Sequence, residues 1–285
     1  MNNLKQLIAR NLLKSIHKKM KPNYPQLAFF NYDLIGRYIS CEGYFEENYL
    51  RCLSNEIFPL LDKNGICLDI GANIGNHSLF FSRYFNKVFA YEPNLRPFKL
   101  LEANSMLCKN IINFNIGLSN KEKVQKIKYN PDNIGAASIN HDDGNHEATF
   151  TLKRLDDILI EDEKKTISFM KIDVEGHELE VLYGAEETIK KSNPIIAIEV
   201  LPHEIKDGTF KTKDFLNKLG YKFEYLFYPK VKYKFVPRYF KDHVNRILML
   251  VSGKDFLRDL TLITAPNEFT IKEYPMIIFS TKKVI

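Results

Sequence analysis

Six consecutive positions in the stretch MKIDVEGHELE carry four titratable side chains: Asp173, Glu175, His177 and Glu178. Carboxylates beside a histidine supply the parts of general acid–base chemistry, because an unperturbed imidazole titrates near neutrality and a neighbouring acid can orient it. Gly176 lets the chain turn tightly before a helix that opens at His177, and the dipole of a helix start favours the neutral imidazole. His177 is the candidate proton acceptor, with Asp173 or Glu175 orienting it or holding the substrate. Helix capping by Asp173 and Glu178 is the plainer use of these acids, but it accounts poorly for four such groups at one strand end. Glu199 closes the apolar run IIAIEV. If that strand neighbours the one ending at Asp173, the two carboxylates offer hard oxygens to Mg²⁺, with water and substrate completing its shell.

A second constellation reads as a ligand turn. In CLDIGANIGNHSLFF an apolar strand runs into D-I-G-A-N-I-G and then into a helix. Gly71 permits the sharp departure from the strand, and Gly75 allows the helix to pack against the sheet. A dinucleotide turn of the G-x-G-x-x-G type needs another glycine where Asn73 stands, and a P-loop needs a G-K-S or G-K-T that is missing here. Glu92, in AYEP, follows Gly71 by 21 residues, where an acid can accept hydrogen bonds from both ribose hydroxyls. The spacing favours S-adenosylmethionine, whose amino-acid tail needs polar groups such as Asp69 and Asn73. An NAD-dependent oxidoreductase is the enzymatic rival, and the glycines alone also fit a tight turn in an unrelated α/β fold.

These residues need elements to hold them. The chain has 285 residues, 45% hydrophobic and 27% charged, with 21 Phe and 15 Tyr but no Trp. That is ordinary globular material with enough apolar side chain for one large core. From Ile66 onward short apolar strands alternate with helical patterns, which predicts parallel strands joined by crossover helices. Helices are expected from about Asn76, from Asn94 to Lys109 with Asn94 as N-cap and Asn110 as the stop, and from His177 to about Ile189. IINFNIGLS reads as a strand, KVQKIKYN as an extended segment that pairs nearby, and NPDNIGAASINHDDGNHEA as a loop. The stretch 228–266 breaks the rhythm and reads as an insertion in a domain spanning 63–285, preceded by a helical segment over 1–62.

Charge is concentrated at one end. Residues 1–22 hold six Lys and Arg and no acid, and the remainder balances at 35 basic against 35 acidic residues. A neutral body argues against a nucleic-acid binder that relies on a broad positive field. Residues 4–20 predict a basic amphipathic helix that either lies on a membrane or covers the domain, so a membrane-surface or partner-binding module is the non-catalytic reading. No apolar run approaches the roughly 18 to 20 residues of a membrane span, Lys5, Arg10 and Lys14 interrupt any signal-peptide core, and a cytoplasmic protein is expected. Cys41, Cys52, Cys67 and Cys108 form no C-x-x-C pair and are expected to be reduced.

Over about residues 42–227, the segments LDIGANIGNHS, AYEPNLRPFKLLEAN, RLDDIL, MKIDVEGHELEVLYGA and PIIAIEV resemble the FkbM family of S-adenosylmethionine-dependent methyltransferases. The resemblance implies a class I methyltransferase, Rossmann-like fold: a mostly parallel seven-stranded sheet with its last strand reversed and helices on both faces. It also implies O-methylation of a hydroxyl on a sugar, glycan or natural product. By the same resemblance Asp69, Gly71, Asn73, Gly75 and Asn76 would surround the methionine part of the cofactor, Glu92 the ribose and Asn115 the adenine. EGYFEENYL corresponds to the family's approach segment, so Tyr44 or Glu46 would close over the cofactor. Residues 1–41 and 228–285 match no pattern of the family, and acceptor choice is expected to lie there.

Overall fold

Three helices, α1 (Asn3–Met20), α2 (Leu34–Glu42) and α3 (Glu47–Glu56), precede the first strand in the computed structural model, which describes residues 3–129, 146–164, 166–230 and 259–285. The alternation then runs β1 (Ile66–Ile70), α4 (Asn76–Phe81), β2 (Lys87–Tyr91), α5 (Leu95–Ser105) and β3 (Ile111–Phe114). A side excursion follows, with β4 (Gly117–Leu118), β5 (Lys123–Tyr129), β6 (His146–Lys153) and the short helices α6 (Leu155–Ile158) and α7 (Glu161–Lys164). The chain returns to the sheet through β7 (Ile167–Ile172), α8 (Glu178–Gly184), α9 (Glu186–Ser192) and β8 (Ile195–Val200). It ends with α10 (Lys211–Lys218), β9 (Phe223–Pro229), β10 (Leu260–Thr264) and β11 (Tyr274–Ser280).

The expected seven strands lie in the order β9-β11-β8-β7-β1-β2-β3, and β10 adds an eighth beyond β9. β7, β1, β2, β3 and β8 run parallel, while β11 is antiparallel to both neighbours, which is the reversed last strand. β10 falls within the stretch read as an insertion; its residues 231–258 lie outside the described part of the chain, as do residues 130–145 of the Asn- and Gly-rich loop. KVQKIKY pairs antiparallel with β6, and β4 joins that pair in a separate three-stranded sheet.

β1 shows how the sequence divides the core. Side chains alternate across a strand, and a central parallel strand is covered on both faces. Ile66, Leu68 and Ile70 enter one apolar cluster with Val181, Leu182, Ile189 and Leu216, whereas Cys67 enters the other with Phe81, Phe169, Leu50 and Ile57. The segment before β1 is therefore part of the second core from Leu27 onward, and only α1 stands clear of it. All four cysteines are free. No described helix is long and apolar enough to cross a membrane.

Three helix expectations change. The helix predicted from His177 to Ile189 breaks into α8 and α9 at Ala185 (φ −116°, ψ 8°). Gly184 lies so close to β4 that a Cβ there would sit 2.0 Å from the Ser119 carbonyl oxygen, so the helix bends where it meets another element. The second correction concerns α5, which is capped as predicted by the Asn94 side chain, an acceptor from Arg96 N (3.2 Å), but ends at Ser105. Thirdly, Asn110 is no helix stop: its Nδ2 donates to the carbonyls of Ser82 and Phe85.

The break before α9 leaves orphan amides that a distant residue satisfies. Asp156 of α6, 5% exposed, accepts from Glu187 N (3.0 Å), Thr188 N (2.9 Å) and Thr188 Oγ1 (2.8 Å). Asp156→Ala removes this cap and strands two buried donors of Thr188 and the half-buried amide of Glu187, so a loss of about 2 kcal/mol is expected. Urea denaturation measures it, with the exposed Asp157→Ala as the control expected to change little.

Candidate active site

The carboxyl ends of β1, β2, β7 and β8 meet at a cavity of about 370 Å³, as in open α/β sheets generally. Gly71 adopts φ 80°, and a Cβ on it would lie 1.8 Å from the Asp173 carbonyl oxygen. Only glycine lets the β1 turn pass that close to the end of β7. Asn73 follows in the left-handed region (φ 52°), which asparagine tolerates well.

The turn and the acid after β2 form one unit. Asn73 N donates to Glu92 Oε2 (2.9 Å) and Asn94 N donates to Glu92 Oε1 (2.8 Å). Burial pushes the Glu92 carboxyl up to about 7, against the lowering effect of these two amides. Each oxygen keeps a further lone pair, and Glu92 lines the cavity.

The other predicted cofactor contacts divide between wall and support. Gly71, Asn73 and Asn76 line the cavity, but Asp69, Gly75 and Asn115 do not. Asp69 is fully buried behind the turn, where its Oδ2 accepts from Ser78 Oγ (2.5 Å). Gly75 packs on Leu101 of α5, not on the sheet. Asn115 donates to the carbonyls of Glu92 and Pro93 and so fixes the loop that carries Glu92. The Asn76 amide pairs both ways with the Phe45 backbone (3.0 Å each), which ties the approach segment to α4. Of the two residues expected to close over the cavity, Glu46 lines it, with Oε2 3.3 Å from His77 Nε2. Tyr44 instead is buried among Tyr24 and Phe80, and burial pushes its phenol up to about 12.

The acidic cluster is organised by a residue that sequence reasoning missed. Lys171, 3% exposed, places its Nζ 2.9 Å from Asp173 Oδ2, 3.6 Å from Asp69 Oδ1 and 3.3 Å from the Gly71 carbonyl. Burial alone would lower its pKa, but Asp173 and Asp69 together hold it above the ordinary lysine value. Conversely, burial would raise Asp173, and Lys171 outweighs that and holds it below the usual range. The available signal was a lysine inside an otherwise apolar strand, FMKI, two residues before an acid on the same side.

Glu199 lies beside Asp173, as expected from the β7–β8 pairing, and burial followed by the charges of Asp173 and Glu175 pushes it up to about 11. It therefore carries a proton at neutral pH and hydrogen-bonds Asp173. Glu175 is raised to about 7, first by burial and then by Asp173. One oxygen from each of Asp173, Glu175 and Glu199 lies within 4.8 Å of the others, and this is the group among the described residues that could hold a metal ion.

His177 lines the same cavity and is 4% exposed. Its Nε2 stands 3.0 Å from Ser119 Oγ and its Nδ1 3.6 Å from Glu180 Oε2. The imidazole is held below its ordinary value of 6.5, mainly by burial, with Glu180 opposing and Lys123 assisting. The neutral form was expected from the helix dipole, yet α8 has only seven residues and burial is the larger cause. The expected side-chain cap of the helix start is missing; Glu178 instead holds the loop before it, with Oε1 accepting from Val174 N and Gly176 N (3.1 Å each), and lies outside the cavity wall.

Comparison with known proteins gives the same region a family. The Methyltransferase FkbM domain model matches residues 69–223. Hexuronic acid methyltransferase AglP of Haloferax volcanii is 32% identical over 158 residues, 53% of this chain and 61% of that protein. Methyltransferase sdnD of Sordaria araneosa is 29% identical over 162 residues, 45% of this chain and 62% of that protein. The chain thus spans about three fifths of the length of these curated relatives. Among solved structures, methyltransferase FkbM from Methylobacillus flagellatus aligns with 67% of this chain and 48% of its own at 20% identity (TM-score 0.38). Streptococcus mutans SMU.1697c, solved in complex with SAH, aligns with 82% of this chain and 96% of its own at 13% identity (TM-score 0.41).

Removing the central ammonium leaves the buried Asp69 and the half-buried Asp173 without their cation. Lys171→Met is expected to cost roughly 3 to 5 kcal/mol at neutral pH, the scale for breaking a buried pair from one side. The sign with pH is definite. In the native protein the depressed Asp173 adds stability above its unfolded pKa, and that stability is lost as pH falls through the folded value. In Lys171→Met the Asp173 carboxyl loses this depression, so acidification relieves repulsion and the deficit shrinks below neutrality. Denaturation curves at several pH values check this; a deficit that grows towards acid would contradict it.

Proposed function

Because the chain belongs to the FkbM methyltransferase family, we propose that it transfers the methyl group of S-adenosylmethionine to a hydroxyl of a sugar, glycan or natural-product acceptor. The observation that carries this reading is the charge of the cavity wall. Among the described lining residues Glu46, Glu92, Asp173, Glu175 and Glu273, with the protonated Glu199, stand against the ammonium of Lys171. Such a wall suits a cationic ligand and opposes the pyrophosphate of NAD. The relative named as a hexuronic acid methyltransferase supports a sugar as the first acceptor class to test.

When bound, S-adenosylmethionine supplies a methyl already activated on a sulfonium. The residues then have two tasks: to align the acceptor for in-line attack and to take its proton. Glu92, with lone pairs left on both oxygens, is the ribose acceptor, and the Gly71–Asn73 turn is the wall for the methionine part. His177 is the general base. Glu180 beside Nδ1 favours the tautomer with its proton there, which leaves Nε2 as acceptor, occupied in the free protein by the Ser119 hydroxyl.

A second reading has its own observation. The three converging oxygens of Asp173, Glu175 and Glu199 have the hardness and spacing for Mg²⁺, although the proton on Glu199 and the ammonium of Lys171 both oppose a dication there. On this reading the ion would be held by those carboxylates and would lower the pKa of the acceptor hydroxyl.

Calorimetry should detect S-adenosylhomocysteine binding, with Glu92→Gln weakening it by about 1 to 3 kcal/mol through loss of a charged acceptor. Tight NAD binding with no response to S-adenosylhomocysteine would remove the methyltransferase reading. For the chemical step, His177→Ala is expected to keep cofactor affinity and to lower turnover by roughly 10²-fold or more. The pH–rate profile separates the bases. With His177 the rate rises through a pKa below 6.5 and is flat at neutrality, whereas with Glu175 it rises near 7. Loss of activity in EDTA, restored by Mg²⁺ while His177→Ala remains active, would move the mechanism to the carboxylates.

A further inference from the structure

The five most amino-terminal large apolar side chains of the described chain are left in water. Leu4, Leu7, Ile8, Leu12 and Leu13 of α1 are 60, 56, 50, 59 and 40% exposed. Leu4, Leu7, Ile8 and Leu12 follow the i, i+3, i+4, i+8 spacing of one helix face. The same helix packs against α2 through its other end, where Ile16 and Met20 are partly covered. Its apolar face over the first three turns is therefore unpartnered among the described residues.

The charge around that face is of one sign. Lys5, Arg10, Lys14, Lys18, Lys19 and Lys21 carry it with no acid in residues 1–22. Among the described residues none of these six takes part in an ion pair of the kind that occupies Lys171 or Lys213. The turn before α2 and α2 itself also leave large apolar side chains exposed, with Tyr32 at 93%, Leu34 at 50% and Tyr38 at 43%.

We propose that α1 docks on an anionic lipid surface, its aliphatic face entering the headgroup boundary and its basic residues lying against the lipid charge. Charge decides between the candidate occupants. A second copy of α1 would bring five more cations, Lys5, Arg10, Lys14, Lys18 and Lys19, and no acid. A nucleic acid would reward the lysines but not five exposed aliphatic side chains. An anionic bilayer satisfies both features together. The docked helix pair also fixes an orientation, because Asp33, Leu34 and Ile35 at the start of α2 border the cavity. An acceptor carried at the lipid surface would reach the cavity from that side; this consequence rests on the methyltransferase reading, whereas the docking does not.

The test uses the full chain without methyl donor, sedimented with phosphatidylcholine vesicles prepared with and without phosphatidylglycerol. Binding to the anionic vesicles is expected to exceed binding to the neutral ones by at least about tenfold and to weaken as salt is raised. Leu7→Ser with Leu12→Ser, and separately Lys14→Gln with Lys18→Gln, should each cut the bound fraction severalfold. These side chains are exposed, so unchanged melting curves and unchanged S-adenosylhomocysteine affinity are expected and keep the result independent of the proposed activity. Equal or absent sedimentation with both vesicle types overturns the proposal. So does concentration-dependent dimerisation in ultracentrifugation that Leu7→Ser with Leu12→Ser abolishes, since that would give the face to a second copy.

Discussion

Everything at the ligand edge depends on one buried ammonium. Parallel strands deliver their carboxyl ends to the same side of a sheet, and here β1 and β7 deliver Asp69 and Asp173 within reach of each other. A buried carboxylate beside a half-buried one would repel it and would resist ionisation. Lys171 sits between them and also donates to the Gly71 carbonyl. The same contact that neutralises the acids therefore anchors the first turn of the ligand site to the strand that carries the candidate catalytic segment. Because Lys171 is satisfied on three sides, Asp173 stays ionised while its neighbour Glu199 keeps a proton.

The amino-terminal segment is fastened to this edge by two asparagines that use both ends of their amides. Asn76 holds the Phe45 backbone, and Asn104 accepts from Ala28 N (2.7 Å) and donates to the carbonyls of Ala28 and Ile74. A buried amide matched on both faces specifies one register, since a shifted chain would leave donor and acceptor unpaired together. Phe45 and Glu46 are thereby placed in the cavity wall by α4, the helix that the β1 turn itself begins. The segment that borders the ligand and the turn that faces it are positioned by a common element.

This geometry explains what could be read from the sequence and what could not. The turn, the acid after β2 and the β7 end were legible as parts of the cavity wall because each is local: Gly71, Glu92 and Asp173 announce themselves by their position at the end of an apolar run. The break at Gly184 was not, because its cause is the Ser119 carbonyl 65 residues earlier in the chain. Asn76 was expected at the cofactor, and it does line the cavity, but its amide is committed to Phe45, a partner that no pattern around position 76 discloses. Glu178 was expected to cap the helix and His177 to face the ligand; contacts place Glu178 on the loop amides and His177 in the cavity wall. The second sheet was half legible, since KVQKIKY is plainly extended while its partner strand lies beyond a long loop. Lys171 was passed over for a physical reason: a lone lysine in an apolar strand is ordinarily read as an edge charge, and its counter-ions come from another strand and from the next residue but one.

The carboxyl groups of the wall differ in charge although they share a cavity, and that difference carries the electrostatic argument further. Asp173 is ionised, Glu199 is protonated, and Glu175 and Glu92 are balanced at about 7. An interacting set of this kind titrates as a unit, so its charge responds to whatever enters the cavity. A cationic ligand favours the ionised forms and draws protons off the balanced groups, and each proton lost in turn deepens the field that holds the ligand. The wall is thus less acidic when empty than when occupied by a cation. That reduces the repulsion the fold must contain in the free state, and it places the strongest field at the moment a positive charge is present to use it.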